Sequence, residues 1–287
     1  MLALGGNVNR YTIFADISGR VAQDTKGSDR ITAAAVAVES QRAPAVRLLI
    51  GEKLPKWRDC TPKDAKAVAE VLIRETAAVC AVTVHKDTEA WRKFWGDAEP
   101  LQKAIVAQDR RAPGFAKPAN VVTYWLFGYA SALAIAHAVK LGPRNRILDY
   151  RGYEAIERTI VCDSDVKGDE NIEVFKSLWE RHDGSQPRME QLGLRFYTRD
   201  VFVTTEEAEP LLLWADYLAG LVHTAFITDP GRISLPLSLD EAKHLLGRIN
   251  DSGKLVLHST EFDLVYSEVF GEAYRRSVQD RGSNLYR

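Results

Sequence analysis

The sequence predicts an α/β protein: a mixed sheet flanked by helices on both faces, with a small, mostly helical C-terminal extension. Three observations carry this expectation. Short apolar strand signals bounded by turn residues open the chain. From residue 61 onward, strand signals alternate with helical periodicity, the order that puts helices on both faces of a sheet. Finally, 287 residues at 46% hydrophobic and 27% charged can bury a substantial core, at the upper end of one domain.

Taken in order, strands are expected over Arg10 to Ile17, Ile31 to Ser40 and Val46 to Ile50, separated by Ser18-Gly19 and a polar stretch through Gly27-Ser28, as an antiparallel meander. A helix follows, capped by Thr61, with Pro62 in its first turn and Asp64 three residues after the cap. Its apolar positions Ala65, Val68, Ala69, Leu72 and Ile73 keep the helical period, and an apolar strand, Val79 to Val84, comes next. Gly96 to Pro118 reads as a long, turn-rich connection.

Ala119 to Val139 contains no charge and is long enough to cross a bilayer. It is rich in alanine, which drives insertion weakly, and carries Asn120, Thr123, Ser131 and His137, so a buried core helix is expected and no membrane partner. Ala130, Ala134 and Ala138 form a small-residue stripe for close packing. A strand over Arg158 to Cys162, an amphipathic helix over Asp169 to Arg181, a strand over Arg195 to Val203 and a helix over Glu206 to Ile227 complete the core. Helical runs around Leu239 to Ile249 and Glu261 to Arg276 form the extension, giving expected units of 8–228 and 229–287, the second packed on the first.

Composition narrows the function. With 38 Lys+Arg against 39 Asp+Glu, no global positive field draws the chain onto phosphate backbones or anionic lipid, so any nucleic-acid contact is local. Cys60, Cys80 and Cys162 match neither a disulfide framework nor a zinc site. With no basic flank or sustained apolar run at the N-terminus, a reducing, cytoplasmic setting is expected. No Ser-His-Asp order, Walker loop or dinucleotide fingerprint is present.

Acids in apolar surroundings point to the chemistry. Asp16 ends the run Ile13-Phe14-Ala15, and Asp163 ends Thr159-Ile160-Val161-Cys162, with Asp165 two residues on. Each carboxylate is expected at a strand end, where open α/β sheets place their sites, although turns also attract Asp. Asp216 lies in Leu213-Trp214-Ala215-Asp216-Tyr217-Leu218-Ala219-Gly220, where a charge is costly unless a cation or hydrogen bonds compensate it. Ala219 and Gly220 are small enough to leave room for a ligand there. Together the acids supply the hard oxygen ligands of Mg²⁺ or Mn²⁺. Asp163-x-Asp165 also resembles the start of an aspartate-based phosphatase, with Lys167 standing where that family has Thr or Val.

Ile13-Phe14-Ala15-Asp16-Ile17-Ser18-Gly19 resembles the apolar strand and Asp-Glu-Ser-Gly that open the family catalogued as domain of unknown function 3800, and Ala215-Asp216 followed by Ala219-Gly220 resembles its closing signature. Members are mostly bacterial and phage proteins. The resemblance spans roughly residues 10 to 228 and implies a ribonuclease H-like fold. It further implies a nuclease with Asp16, Asp163 and Asp216 as catalytic, metal-binding acids, holding two ions roughly 4 Å apart. Ile17 replaces the family's Glu, and Val84-His85-Lys86 replaces an apolar residue followed by Asp-Lys. His85 and Lys86 are therefore second-tier candidates, as are Glu70 and Glu75, for the helix carboxylate of such nucleases. Arg110, Arg111 and Lys117 are local candidates for nucleic-acid contact. A catalytically inactive interaction module of the same fold is the alternative.

Overall fold

The computed structural model describes residues 8–25, 28–49, 54–89, 91–93, 95–96, 103, 118–142, 147–149, 151–164, 168–181, 186–227 and 235–258. Its strands are β1 (Asn9–Ser18), β2 (Arg30–Glu39), β3 (Ala78–His85), β4 (Glu154–Asp163), β5 (Leu194–Thr204) and β6 (Leu255–His258). Its helices are α1 (Ala43–Arg47), α2 (Pro62–Glu75), α3 (Pro118–Leu141), α4 (Asp169–Arg181), α5 (Gln186–Gln191), α6 (Leu212–Phe226) and α7 (Leu239–Asp251). The strands form one sheet in the order β5-β4-β1-β2-β3-β6. Only the β1–β2 and β2–β3 pairings are antiparallel; β1–β4, β4–β5 and β3–β6 are parallel. An antiparallel β1-β2-β3 unit extended by parallel β4 and β5, with helices on both faces, makes this a ribonuclease H-like α/β fold. The C-terminal ends of β1, β3, β4 and β5 consequently share one edge of the sheet.

Strand alternation sorts the core into two layers. Ile13, Ala15, Ala33, Ala35 and Ile160 face α3 and α4, while Phe14, Ala34, Val36 and Val161 face α2, α6 and α7. β2 is buried along nearly its whole length and presents alanine to both layers, so helix backbones approach closely on either side. On α3, Ala130, Ala134 and Ala138 are buried in the same layer as Ala33, Ala35 and Ala37, as the small-residue stripe predicts. This helix passes a length-and-hydropathy test for a membrane span, yet 82% of its apolar window is buried against the rest of the chain.

Three expectations change. Val46 to Ile50 is not the third strand: residues 43–47 form α1, because Pro44 suits a first helical turn and lacks the N–H a ladder needs. Leu48 and Leu49 are exposed there, and Ile50 lies outside the described residues. The third strand of the antiparallel unit is β3, reached through α2, which starts at the expected Thr61/Asp64 capping box. Beyond residue 229, α7 appears as expected, but β6 adds a strand to the same sheet, and 259–287 lies outside the described residues.

Candidate active site

The pairing of β1 with β4 sets Ala15 opposite Cys162, which makes Asp16 and Asp163 the next pair along two parallel strands. Phe14 and Val161 belong to the layer beneath α6, so by alternation both acids leave the sheet on that face. Glu206 arrives from just beyond β5, and one carboxylate oxygen from each of Asp16, Asp163 and Glu206 lies within 4.8 Å of the others. Asp16 and Glu206 are buried, and Asp163 is half-buried. The Ile17 N–H donates to Asp16 Oδ1 at 2.6 Å, which fixes that carboxylate against the strand.

α6 adds the fourth acid. Asp216 Oδ2 accepts the Trp57 N–H at 2.7 Å. The Trp57 indole lies on Gly220, where an added Cβ would come within 2.2 Å of the ring, and it meets Tyr217 edge-on at 5.6 Å between centroids. Gly220 thus makes room for Trp57, not for a ligand, which corrects the sequence expectation at that position. The strap that delivers Trp57 also delivers Lys56, whose Nζ lies 2.8 Å from Glu206.

Electrostatics reflect this crowding. Burial pushes the Asp216 carboxyl up to about 6, aided by the charges of Glu206 and Asp163 and opposed by the Trp57 N–H and Lys56. Asp163 is raised as well, by burial first and then by Glu206 and Glu207, against the Ser164 N–H and Lys56. Lys56 is raised by its hydrogen bond to Glu206 and stays protonated. A buried set of carboxylates that repel one another is the donor set a hard divalent cation needs. Oxygens on opposite sides of such an ion stand roughly 4–5 Å apart at ligand distances of about 2.0–2.6 Å, which this trio fits.

No family model matches the chain, and no curated protein matches it. In structure it is similar to ribonuclease H2 from Pyrococcus horikoshii OT3. The two share 11% sequence identity, with 84% of this chain and 99% of that chain covered, at a TM-score of 0.37.

The other sequence candidates fall elsewhere. β2 separates β1 from β3, and Asp16 is level with Ala81, so His85 and Lys86 stand two strand spacings across and four or more residues along, roughly 16 Å from Asp16. His85 Nε2 lies 3.4 Å from Asp29, and buried Lys86 donates to the Arg20 carbonyl at 3.3 Å. Both serve the β1–β2 connection. There Gly19, at φ +92°, passes so close to Arg30 O and His223 that no side chain fits. Glu70 pairs with Arg248 on α7, and Glu75 with Arg42 and Arg74, on the outer side of α2. Ile17 packs into the α3 layer, opposite Asp16, so an acid at its position would not face the trio. Asp165, Arg110, Arg111 and Lys117 lie outside the described residues.

Glu206 escapes the strand-end pattern because Glu206 to Ile227 reads as one continuous helix in the sequence. Pro210 disfavours helical geometry at Glu209, and α6 starts only at Leu212. The stretch from Thr205 to Glu209 is instead a turn, and Glu206 is an acid just past a strand, the same signal that marks Asp16 and Asp163.

One expected result arises directly from Asp216. Its carboxyl titrates at about 6 in the folded chain against an ordinary 3.8, so between these values the folded state binds more protons than the unfolded state. Stability of the metal-free protein therefore falls as pH rises through about 4 to 6, by roughly 3 kcal/mol in full. Asp163 shifts in the same direction and adds to the fall. Asp216→Asn keeps an acceptor for the Trp57 N–H and removes the charge. Urea unfolding in EDTA from pH 4.5 to 7.5 should show this variant gaining stability over the wild type as pH rises; equal slopes would refute the assignment.

Proposed function

We propose that this chain hydrolyses phosphodiesters in a nucleic acid, using Mg²⁺ or Mn²⁺ held by Asp16, Asp163 and Glu206. The convergence of those three carboxylates within 4.8 Å, from three adjacent parallel strands, is the observation that carries the proposal. The resemblance of the Asp16 and Asp216 segments to motifs of the domain-of-unknown-function 3800 family supports it. A divalent ion at such a site supplies Lewis-acid charge to a phosphoryl oxygen and favours ionisation of water. The protein's own part is positioning. Asp16 is held by the Ile17 N–H, Asp163 by strand pairing with β1 and β5, and Asp216 by the Trp57 N–H. Asp216 stands next to the trio and, titrating at about 6, can exchange a proton near neutral pH. With near-balanced charge, contact with the nucleic acid is confined to the neighbourhood of this sheet edge, in a cytoplasmic setting.

A second reading has one observation in its favour. The Lys56 ammonium on Glu206 already offsets one carboxylate, as it would in a catalytically inactive interaction module. Incubating the protein with single-stranded, duplex and hybrid nucleic acids plus Mg²⁺ or Mn²⁺ separates the two. Metal-dependent cleavage that is lost in both Asp163→Asn and Glu206→Gln is the expected result. Absence of cleavage together with no calorimetric Mn²⁺ binding would establish the inactive module.

A further inference from the structure

We infer that Lys56 takes the place of a second divalent ion, so that the acidic site binds a single metal and presents the Lys56 ammonium to the phosphodiester as its second cation. This rests on the proposed metal site and specifies its composition. A two-ion site places its metals about 3.5–4 Å apart and needs carboxylates to spare for both. Here the trio offers one cage, and a carboxylate oxygen of Glu206 is engaged by Lys56 Nζ at 2.8 Å.

The position of this ammonium is built into the fold. Lys56 immediately precedes Trp57, whose N–H is bound to Asp216 and whose indole is wedged on Gly220. The backbone at Lys56 is thereby tied to α6, while its side chain is 41% exposed and so open to a ligand from solvent.

Its chemical role follows from charge. Hydrolysis adds water across one P–O ester bond: the hydroxyl goes to phosphorus, the bond to the leaving oxygen breaks, and that oxygen takes a proton from solvent. Negative charge builds on the phosphoryl and leaving oxygens along the way. A fixed ammonium beside them stabilises that charge. Lys56 meets the Glu206 carboxylate at 2.8 Å as an ammonium, and its proposed part is that of a fixed cation, not of the proton donor.

Mn²⁺ stoichiometry measured by isothermal titration calorimetry and by electron paramagnetic resonance of free Mn²⁺ tests this without reference to activity. The wild type should bind one ion per chain, Lys56→Gln two, and the charge-preserving Lys56→Arg one. Two ions in the wild type, or one in Lys56→Gln, would overturn the inference while leaving the nuclease reading intact. No bound ion in any of the three proteins would overturn both. The expected stoichiometries without nucleic-acid cleavage would uphold the role of Lys56 as a cation and remove the proposed activity. In active protein, Lys56→Gln at Mg²⁺ concentrations that fill only the first site should lose about 10²-fold in kcat with little change in KM, and either further Mg²⁺ or Lys56→Arg should recover much of that loss.

Discussion

Asp16→Asn should lower metal-dependent cleavage by about 10³-fold, equivalent to roughly 4 kcal/mol of transition-state stabilisation. It is one of the two buried acids of the trio. β1 lies between β4 and β2, and Asp16 is buried at its end with an oxygen within reach of both Asp163 and Glu206. Asparagine keeps the volume and still accepts the Ile17 N–H, so the strand end is preserved and the lost quantity is charge. Mn²⁺ affinity should fall with it, because a neutral amide is a poorer ligand for a hard cation than a carboxylate. Single-turnover rates at saturating Mn²⁺, with a thermal melt to confirm folding, check the result. A rate within tenfold of the wild type would remove Asp16 from the site.

Gly220→Ala should cost about 3 kcal/mol of stability, at the upper end for overpacking. The added methyl would stand 2.2 to 2.4 Å from three atoms of the Trp57 indole, which no rotamer adjustment of alanine relieves. Trp57 has to move, and its N–H leaves Asp216 as it goes. The neighbouring Lys56 is then drawn away from Glu206. Stability and Mn²⁺ binding should therefore change together in this variant, although Gly220 touches no acid. Gly247→Ala on α7 is the matched control, since nothing lies within 4 Å of its new methyl, and it should gain up to about 1 kcal/mol from helix propensity. Urea unfolding measures both. If Gly220→Ala unfolds like the wild type, the wedge is not what holds the strap.

Asp16 and Asp163 were legible in the sequence because an apolar run ending in an acid is a local pattern, and local patterns survive folding. Asp216 was legible for a related reason: a carboxylate in an apolar helix demands compensation. What compensates it was not legible, since the Trp57 N–H comes from a segment 159 residues away in the chain. Ile17 shows the same limit at the shortest range. Its position next to Asp16 suggested a lost ligand, but the pleat turns adjacent side chains to opposite faces, and only the assembled layers reveal which face holds the site. The misplaced third strand has a plainer origin. Val46-Arg47-Leu48-Leu49-Ile50 has the composition of a strand, and Pro44 with the nearby Ala43 and Ala45 decides for a helical turn that composition does not register.

The last described strand has a bearing on how the chain reaches this state. β6 hydrogen-bonds to β3 with Val79 opposite Leu255, an in-register pairing of two segments far apart in sequence. During synthesis, β3 leaves the ribosome long before its neighbour exists, and its outer edge stays unpaired for the time taken to make the intervening polypeptide, roughly ten seconds or more at elongation rates of about 5–20 residues per second. An unsatisfied apolar edge is a template for intermolecular pairing. Translation speed between residues 86 and 254, and chaperone occupancy of that edge, should accordingly govern how much of this protein is recovered in native form.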